Sequence, residues 1–229
     1  MAKSTFLELS VVACAECGLS GTGPTDITGQ TTGYQRVIDF VSEADKEIQG
    51  LWFDWDFLHV STWSSATVAG TVAVSAPSDM GVWDEDSFYL DYSTATYKKL
   101  SILDYKYWRA NLRQGVRTNQ KPSNAVILPD LSLKLDPPPD GIYTLTAEYW
   151  KRPTEMTTSG ATSPIPEEYE RIIIARAKMS YGVQKAATEI YQFGLTEYEL
   201  LLDKLESKYL PNQKGRRRAD AGMLTVRPE

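Results

Sequence analysis

The chain has 229 residues, 42 % of them apolar, and a net charge of −6, enough for one medium-sized domain, or one domain with an insertion, around a true core. An acidic body speaks against a general nucleic-acid binder. No stretch has the length of a transmembrane helix, and Met1-Ala2-Lys3 runs into an amphipathic segment and not into a signal peptide, so the chain is expected to be soluble and made in a cytosol.

Thr5 with Glu8 forms a capping box and predicts a helix over residues 5–17, with Phe6, Leu9, Val12 and Ala13 on one face and Gly18 as its stop. Cys14 and Cys17 make a C-x-x-C. With no second cysteine pair and His59 as the only histidine, one chain cannot close a four-ligand zinc site, and free thiols on a helix are expected. Gly21 and Gly23 give a G-x-G in a Gly/Thr-rich loop, but Pro24 follows and the Lys-Ser/Thr of a phosphate loop is missing.

Residues 34–52 carry the strongest helical period of the first half: Tyr34, Val37, Ile38, Val41, Ala44, Ile48, Leu51 and Trp52. A dense aromatic run follows, and Trp52, Trp55 and Phe57 are expected to pack where helix meets sheet. From Leu58 the period becomes two. Strands are expected at 58–63, 67–74, 88–90, 99–103, 126–128, 131–135 and 142–150, separated by Pro-Asp and Pro-Pro-Pro-Asp-Gly turns. Asp104–Gln114 fits a short helix. Asp79, Asp84, Glu85, Asp86 and Asp91 lack the spacing of an EF-hand and read as a solvated acidic loop.

After a polar linker, Pro166 opens a helix with Glu167 and Glu168 at its positive end. Tyr169, Ile172, Ile173, Ala177 and Met179 carry it to Ala187. A last helix shows Leu195, Tyr198, Leu202, Leu205 and Tyr209 at alternating steps of three and four, a packing stripe that Pro211 ends. Helices at both ends of a β-module predict an α+β fold: a helical bundle formed by N- and C-terminal helices (1–57 and 153–210), an inserted antiparallel β-module (58–152) and an extended C-terminal arm (211–229).

No catalytic constellation stands out. A nucleophile would have to use His59, which has no neighbouring acid motif, and G-x-S-x-G and H-E-x-x-H are missing. No enzyme, cofactor or metal site is expected. The arm is different. Lys214, Arg216, Arg217, Arg218 and Arg227 against Asp220 and Glu229 leave it at +3 and the rest of the chain at −9. Alone it has too little apolar surface to fold. Its Met223-Leu224-Thr225-Val226 segment suits strand addition to a partner's sheet edge, so the arm is expected to order only in an assembly.

Several pieces, in order, resemble the head-to-tail adaptor (neck) proteins of tailed bacteriophages, over residues 34–210. Ala44, Glu47, Ile48 and Gln49 precede Trp55, Phe57 and Leu58. Asp104-Tyr105, Trp108-Arg109, Pro122 and Pro129-Asp130 follow, then Leu131-x-Leu-x-Leu-x-Pro and Pro139-Asp140 with Tyr143. Glu148-Tyr149-Trp150 and Ile165-Pro166 with Tyr169 complete the series. The resemblance implies a structural virion protein of the type that docks under the portal in short-tailed phages. It would be assembled in the host bacterial cytoplasm as a homo-oligomeric ring, usually of twelve copies. Its partners would be the portal protein above and tail nozzle or tail-fibre proteins below. Genomic DNA would pass through the channel without specific binding, past a negative wall that lets phosphate slide, and no membrane is involved. The arm residues Arg216, Arg217, Arg218, Met223, Leu224, Val226 and Arg227 would bind the portal. Ile172, Ile173, Leu195, Tyr198, Leu202, Leu205 and Tyr209 would pack the ring. The nearest rival is another neck component, a stopper or tail-completion protein. A surface- or carbohydrate-binding module, using aromatic residues of the β-module, is a further alternative.

Overall fold

The computed structural model describes residues 3–93, 96–115 and 117–210. The fold is α+β, and the chain divides into two compact units: Met1–Leu58 with Pro153–Glu229, and His59–Arg152.

The first unit is helical. Its α1 (Phe6–Glu16) starts at Thr5, whose side chain and Glu8 cap each other's backbone, and ends at Cys17 before Gly18 at φ 73°. The buried face of α1 is Phe6, Leu9, Ser10, Ala13 and Cys14, with Cys17 beyond its end. Val12, expected on that face, points outward. Helix α2 (Thr32–Gly50) buries Val37, Ile38, Val41, Ala44 and Ile48 as its period dictates, each worth about 1.5–3 kcal/mol for the larger side chains. It also buries two polar side chains on that face, Asp45 and Gln49. Trp55 is fully buried and stacks on Phe57 at 5.0 Å, while its Nε1 donates to the Ile48 carbonyl. Phe57 lies edge-on to Tyr209, and Trp52 Nε1 donates to Glu206.

Two helices complete the unit. Pro166 does not open the long helix directly: a short 3-10 turn spans Glu167–Tyr169, and the helix Arg171–Lys185 follows it. Ala186 at φ 54° closes that helix, and the helix Thr188–Tyr209 turns back along it.

The second unit is built on two sheets. Strands β1 (His59–Ala66), β3 (Met80–Trp83), β4 (Tyr89–Ser93), β5 (Thr96–Lys99) and β9 (Thr144–Lys151) form one, with β9 between β1 on one side and β3 and β4 on the other. Strands β2 (Ala73–Val74), β6 (Ser101–Leu103), β7 (Asn124–Ile127) and β8 (Leu133–Asp136) form the other, in the order β2-β8-β7-β6. All pairings between named strands are antiparallel except β6 with β7, which is parallel. Leu100, buried where the chain passes from one sheet to the other, donates its N–H to the Phe88 carbonyl. A short helix, α3 (Tyr105–Asn111), is capped by the Asp104 side chain.

One core is shared by both sheets and includes Phe88, Leu90, Leu133, Leu135, Leu145 and Trp83. Trp83 is its hub, with Trp63, Phe88 and Tyr149 around the ring and Nε1 donating to the Leu131 carbonyl at 2.7 Å. Two stretches differ from their expected form. The stretch 67–74 is not one strand: Gly70 at φ 76° sits in a turn that pairs Val68 with Thr71, and only Ala73–Val74 extends. The acidic run is not simply a loop either. Met80–Trp83 inside it is a strand, Asp91 lies in β4, and Asp79 accepts from the Tyr149 hydroxyl at 2.8 Å.

Candidate functional site

The last two helices, Arg171–Lys185 and Thr188–Tyr209, are the most tightly joined pair in the helical unit. Two glycines set their separation. A methyl group on Gly182 would lie 2.7 Å from the Tyr191 backbone nitrogen, and one on Gly194 would lie 2.9 Å from the Ala175 carbonyl oxygen. Ile172, Ile173, Ile174, Ala175 and Ala177 are buried beneath the pair.

An ion network locks one side of this hairpin. Lys178, with only 9 % of its side chain exposed, places Nζ 2.7 Å from Glu16 Oε2 and 2.6 Å from Glu197 Oε2. Arg171 binds the other oxygen of each carboxylate. Burial works against the Lys178 charge, but the two carboxylates outweigh it and hold its pKa above the usual lysine range. Burial likewise opposes the Glu197 charge, and hydrogen bonds from Lys178 and Arg171 still hold that carboxyl below its usual range. At the far end, Lys208 and the Tyr209 hydroxyl both bind Glu168.

The hairpin also carries exposed apolar side chains, and Phe193 and Leu200 flank Glu197 one turn away on either side. Phe193 is 74 % exposed, Val183 70 % and Leu200 58 %. Phe193 and Leu200 are seven residues apart and share a face of their helix. Sequence reading overlooks them, because the stripe of Leu195, Tyr198, Leu202, Leu205 and Tyr209 is the stronger period.

The structure separates the residues expected to pack a ring. Ile172, Ile173 and Leu205 are completely buried. Leu195, Tyr198, Leu202 and Tyr209 are half-buried. The arm residues Arg216, Arg217, Arg218, Met223, Leu224, Val226 and Arg227 lie outside the described residues. The point from which the arm departs is described: Leu210 is buried and donates its N–H to the Glu206 carbonyl.

Cys14 and Cys17 are free and buried, and burial pushes their thiols up to about 11 and about 12. In the β unit, His59 has a partner that its sequence neighbours do not reveal: Glu148 Oε2 lies 3.0 Å from its Nε2, and Asp84 completes a group whose ligand atoms all lie within 4.8 Å of one another. On the same unit, Tyr89 and Tyr97 are exposed and meet edge to face, beside Asp91 and Thr146. No helix among the described residues is long and apolar enough to cross a membrane.

The helical unit is formed by two stretches of the chain, and the β unit is inserted between them in sequence. Residues 4–227 match the SU10 adaptor protein family, and the chain belongs to it. It is thereby a bacteriophage head–tail adaptor, a structural protein of the virion, in agreement with the resemblance carried by the sequence. No curated protein sequence matches the chain.

Proposed function

We propose that the protein assembles as a ring beneath the portal of a short-tailed phage, joins portal to tail and surrounds the DNA channel. The observation that carries this reading is the outward apolar set Val183, Phe193 and Leu200 on the helical hairpin. A ring closes when one face of each subunit meets a different face of the next, and a rigid helix pair supplies such a face. Leu195, Tyr198, Leu202 and Tyr209 would border that contact. Arg216, Arg217, Arg218 and Arg227 would meet acidic surface on the portal, while Met223, Leu224 and Val226 add as a strand to one of its sheet edges. The β unit would receive tail nozzle or tail-fibre proteins. Genomic DNA would pass the acidic body without specific binding.

Mass photometry of the protein alone and with its portal, repeated without residues 211–229, tests this. A portal-dependent high-mass species that disappears with the deletion supports a ring adaptor anchored by its arm. A ring that persists without the arm keeps the adaptor and moves the anchor elsewhere. A strict monomer that ignores the portal transfers the function to a stopper, a tail-completion protein or the exposed Tyr89–Tyr97 surface.

A further inference from the structure

We propose that His59, Asp84 and Glu148 form a binding site for a divalent transition-metal ion such as zinc. The three come from separate stretches of one sheet. His59 is the first residue of β1 and pairs with Trp150 of β9. Glu148 is two residues before Trp150 and therefore faces the same side of the sheet. Asp84 directly follows β3, whose Trp83 pairs with Tyr149, and the Asp84 N–H donates to the Glu148 carbonyl at 3.0 Å.

The surroundings hold these groups in place. Ser87 Oγ accepts from the Glu148 N–H at 2.8 Å and donates to the Asp84 carbonyl at 2.7 Å, which ties the two acidic residues together. The Asp86 N–H donates to Asp84 Oδ1 at 3.0 Å and orients that carboxylate. The Trp150 ring packs on the imidazole with centroids 4.9 Å apart and restricts its plane. His59 Nε2 already points at Glu148, at 3.0 Å. All three residues are half-buried, so the site is partly shielded yet reachable.

The donor set selects the ion. One imidazole nitrogen and two carboxylate oxygens suit zinc, which binds both kinds at about 2.0–2.2 Å. Calcium and magnesium favour oxygen alone, and manganese binds a mixed site less tightly than zinc. Ligand atoms now within 4.8 Å of one another need only side-chain rotation to close on one ion. Three protein ligands leave a fourth position for water. The bound ion would cross-link β1, β9 and the end of β3, the first and last strands of the β unit among them.

The test uses untagged full-length protein and the signals of its single imidazole, followed by NMR during titration with zinc chloride. Saturable zinc-dependent shifts are expected, with no comparable change from magnesium or calcium. Asp84→Asn and Glu148→Gln should each weaken zinc by about tenfold or more, and His59→Gln should abolish binding. Cobalt(II) in place of zinc should give visible d–d bands without a thiolate charge-transfer band. Imidazole signals that ignore zinc in clear molar excess overturn the proposal, and that result needs no variant. Undiminished zinc binding by His59→Gln overturns it as well. A thiolate band overturns it by placing the ion on Cys14 and Cys17.

Discussion

Ser163 Oγ donates to Asp45 Oδ1 at 2.5 Å in the interior of the helical unit. Gln49 Nε2 donates to the other Asp45 oxygen at 2.8 Å and to the Thr154 carbonyl, while Gln49 Oε1 accepts the Thr154 N–H. Two polar side chains one turn apart on α2 thus pin the segment that returns to the helical unit after residue 152. Lys3 closes the same segment by donating to the carbonyls of Ser163, Pro164 and Ile165.

Burial raises the Asp45 pKa to about 6, against the hydrogen bonds from Ser163 and Gln49 and the charge of Lys3, with Glu170 adding to the rise. The folded state then holds this proton more tightly than the unfolded state. The Asp45 contribution therefore favours folding at low pH and is lost as pH rises through about 4 to 6, by on the order of 2–3 kcal/mol. Urea unfolding across that range should show wild type gaining on Asp45→Asn as the solution is acidified. Parallel stability curves would show that Asp45 ionises freely.

Lys178 is buried between two partly exposed carboxylates. Replacing it with Met leaves Glu16 and Glu197 facing each other with Arg171 alone. Removing one partner of a fully buried pair costs about 3–5 kcal/mol, and partial exposure of the carboxylates brings the expected loss to roughly 2 kcal/mol. Glu197→Gln should cost less, because Lys178 keeps Glu16. Denaturant midpoints of the two variants give the comparison, and equal or reversed costs would place the weight of the network elsewhere.

Gly182→Ala should destabilise the hairpin although alanine is the better helix former. The propensity gain is about 1 kcal/mol. The added methyl meets Tyr191 backbone at 2.7 Å, and forcing the helices apart costs about 1–3 kcal/mol or more. A net loss in thermal stability is expected. A gain would mean that the second helix slides freely along the first.

Phe193→Ser combined with Leu200→Ser should leave monomer stability within about 0.5 kcal/mol, as for other exposed positions, and remove portal-dependent assembly. Leu205→Ala should do the opposite, costing about 2–5 kcal/mol in the subunit core before assembly is reached. Circular dichroism melts alongside mass photometry separate the two effects. Assembly that survives the double substitution would remove this face from the ring contact.

The thiols of Cys14 and Cys17 should resist an aromatic disulfide reagent in the folded protein near about pH 8, because the thiolate is the reactive form. Both should react fully on unfolding. Rapid labelling of native protein would show that α1 opens at little cost.

Local chemistry was readable where neighbouring residues decide the structure. Thr5, Glu8 and Gly18 mark both ends of α1, and the period of α2 picks out its buried apolar face. The stripe on the last helix announces a helix and a packed face, but periodicity does not say whether that face meets its own subunit or another. Leu205 of that stripe is buried, whereas Leu195, Tyr198, Leu202 and Tyr209 are half-buried. Met80–Trp83 was hidden by flanking aspartates, since its partner strand lies far along the chain. For the same reason the pairing of His59 with Glu148 is visible only in three dimensions, as is the burial of Asp45 and Gln49, whose polarity marks them for the surface until Ser163 and Thr154 are in place.

The helical unit is written in two instalments separated by the whole β unit. On a ribosome, Val37, Ile38, Val41 and Ile48 emerge long before the helix Arg171–Lys185 that helps bury them. At ordinary synthesis rates that interval is on the order of ten seconds. The nascent chain must carry a helix that only α1 covers through that time, while the β strands have their own partners as soon as residue 152 is out. Translation speed and holding chaperones therefore bear on the yield of this adaptor through its first fifty residues more than through its sheets.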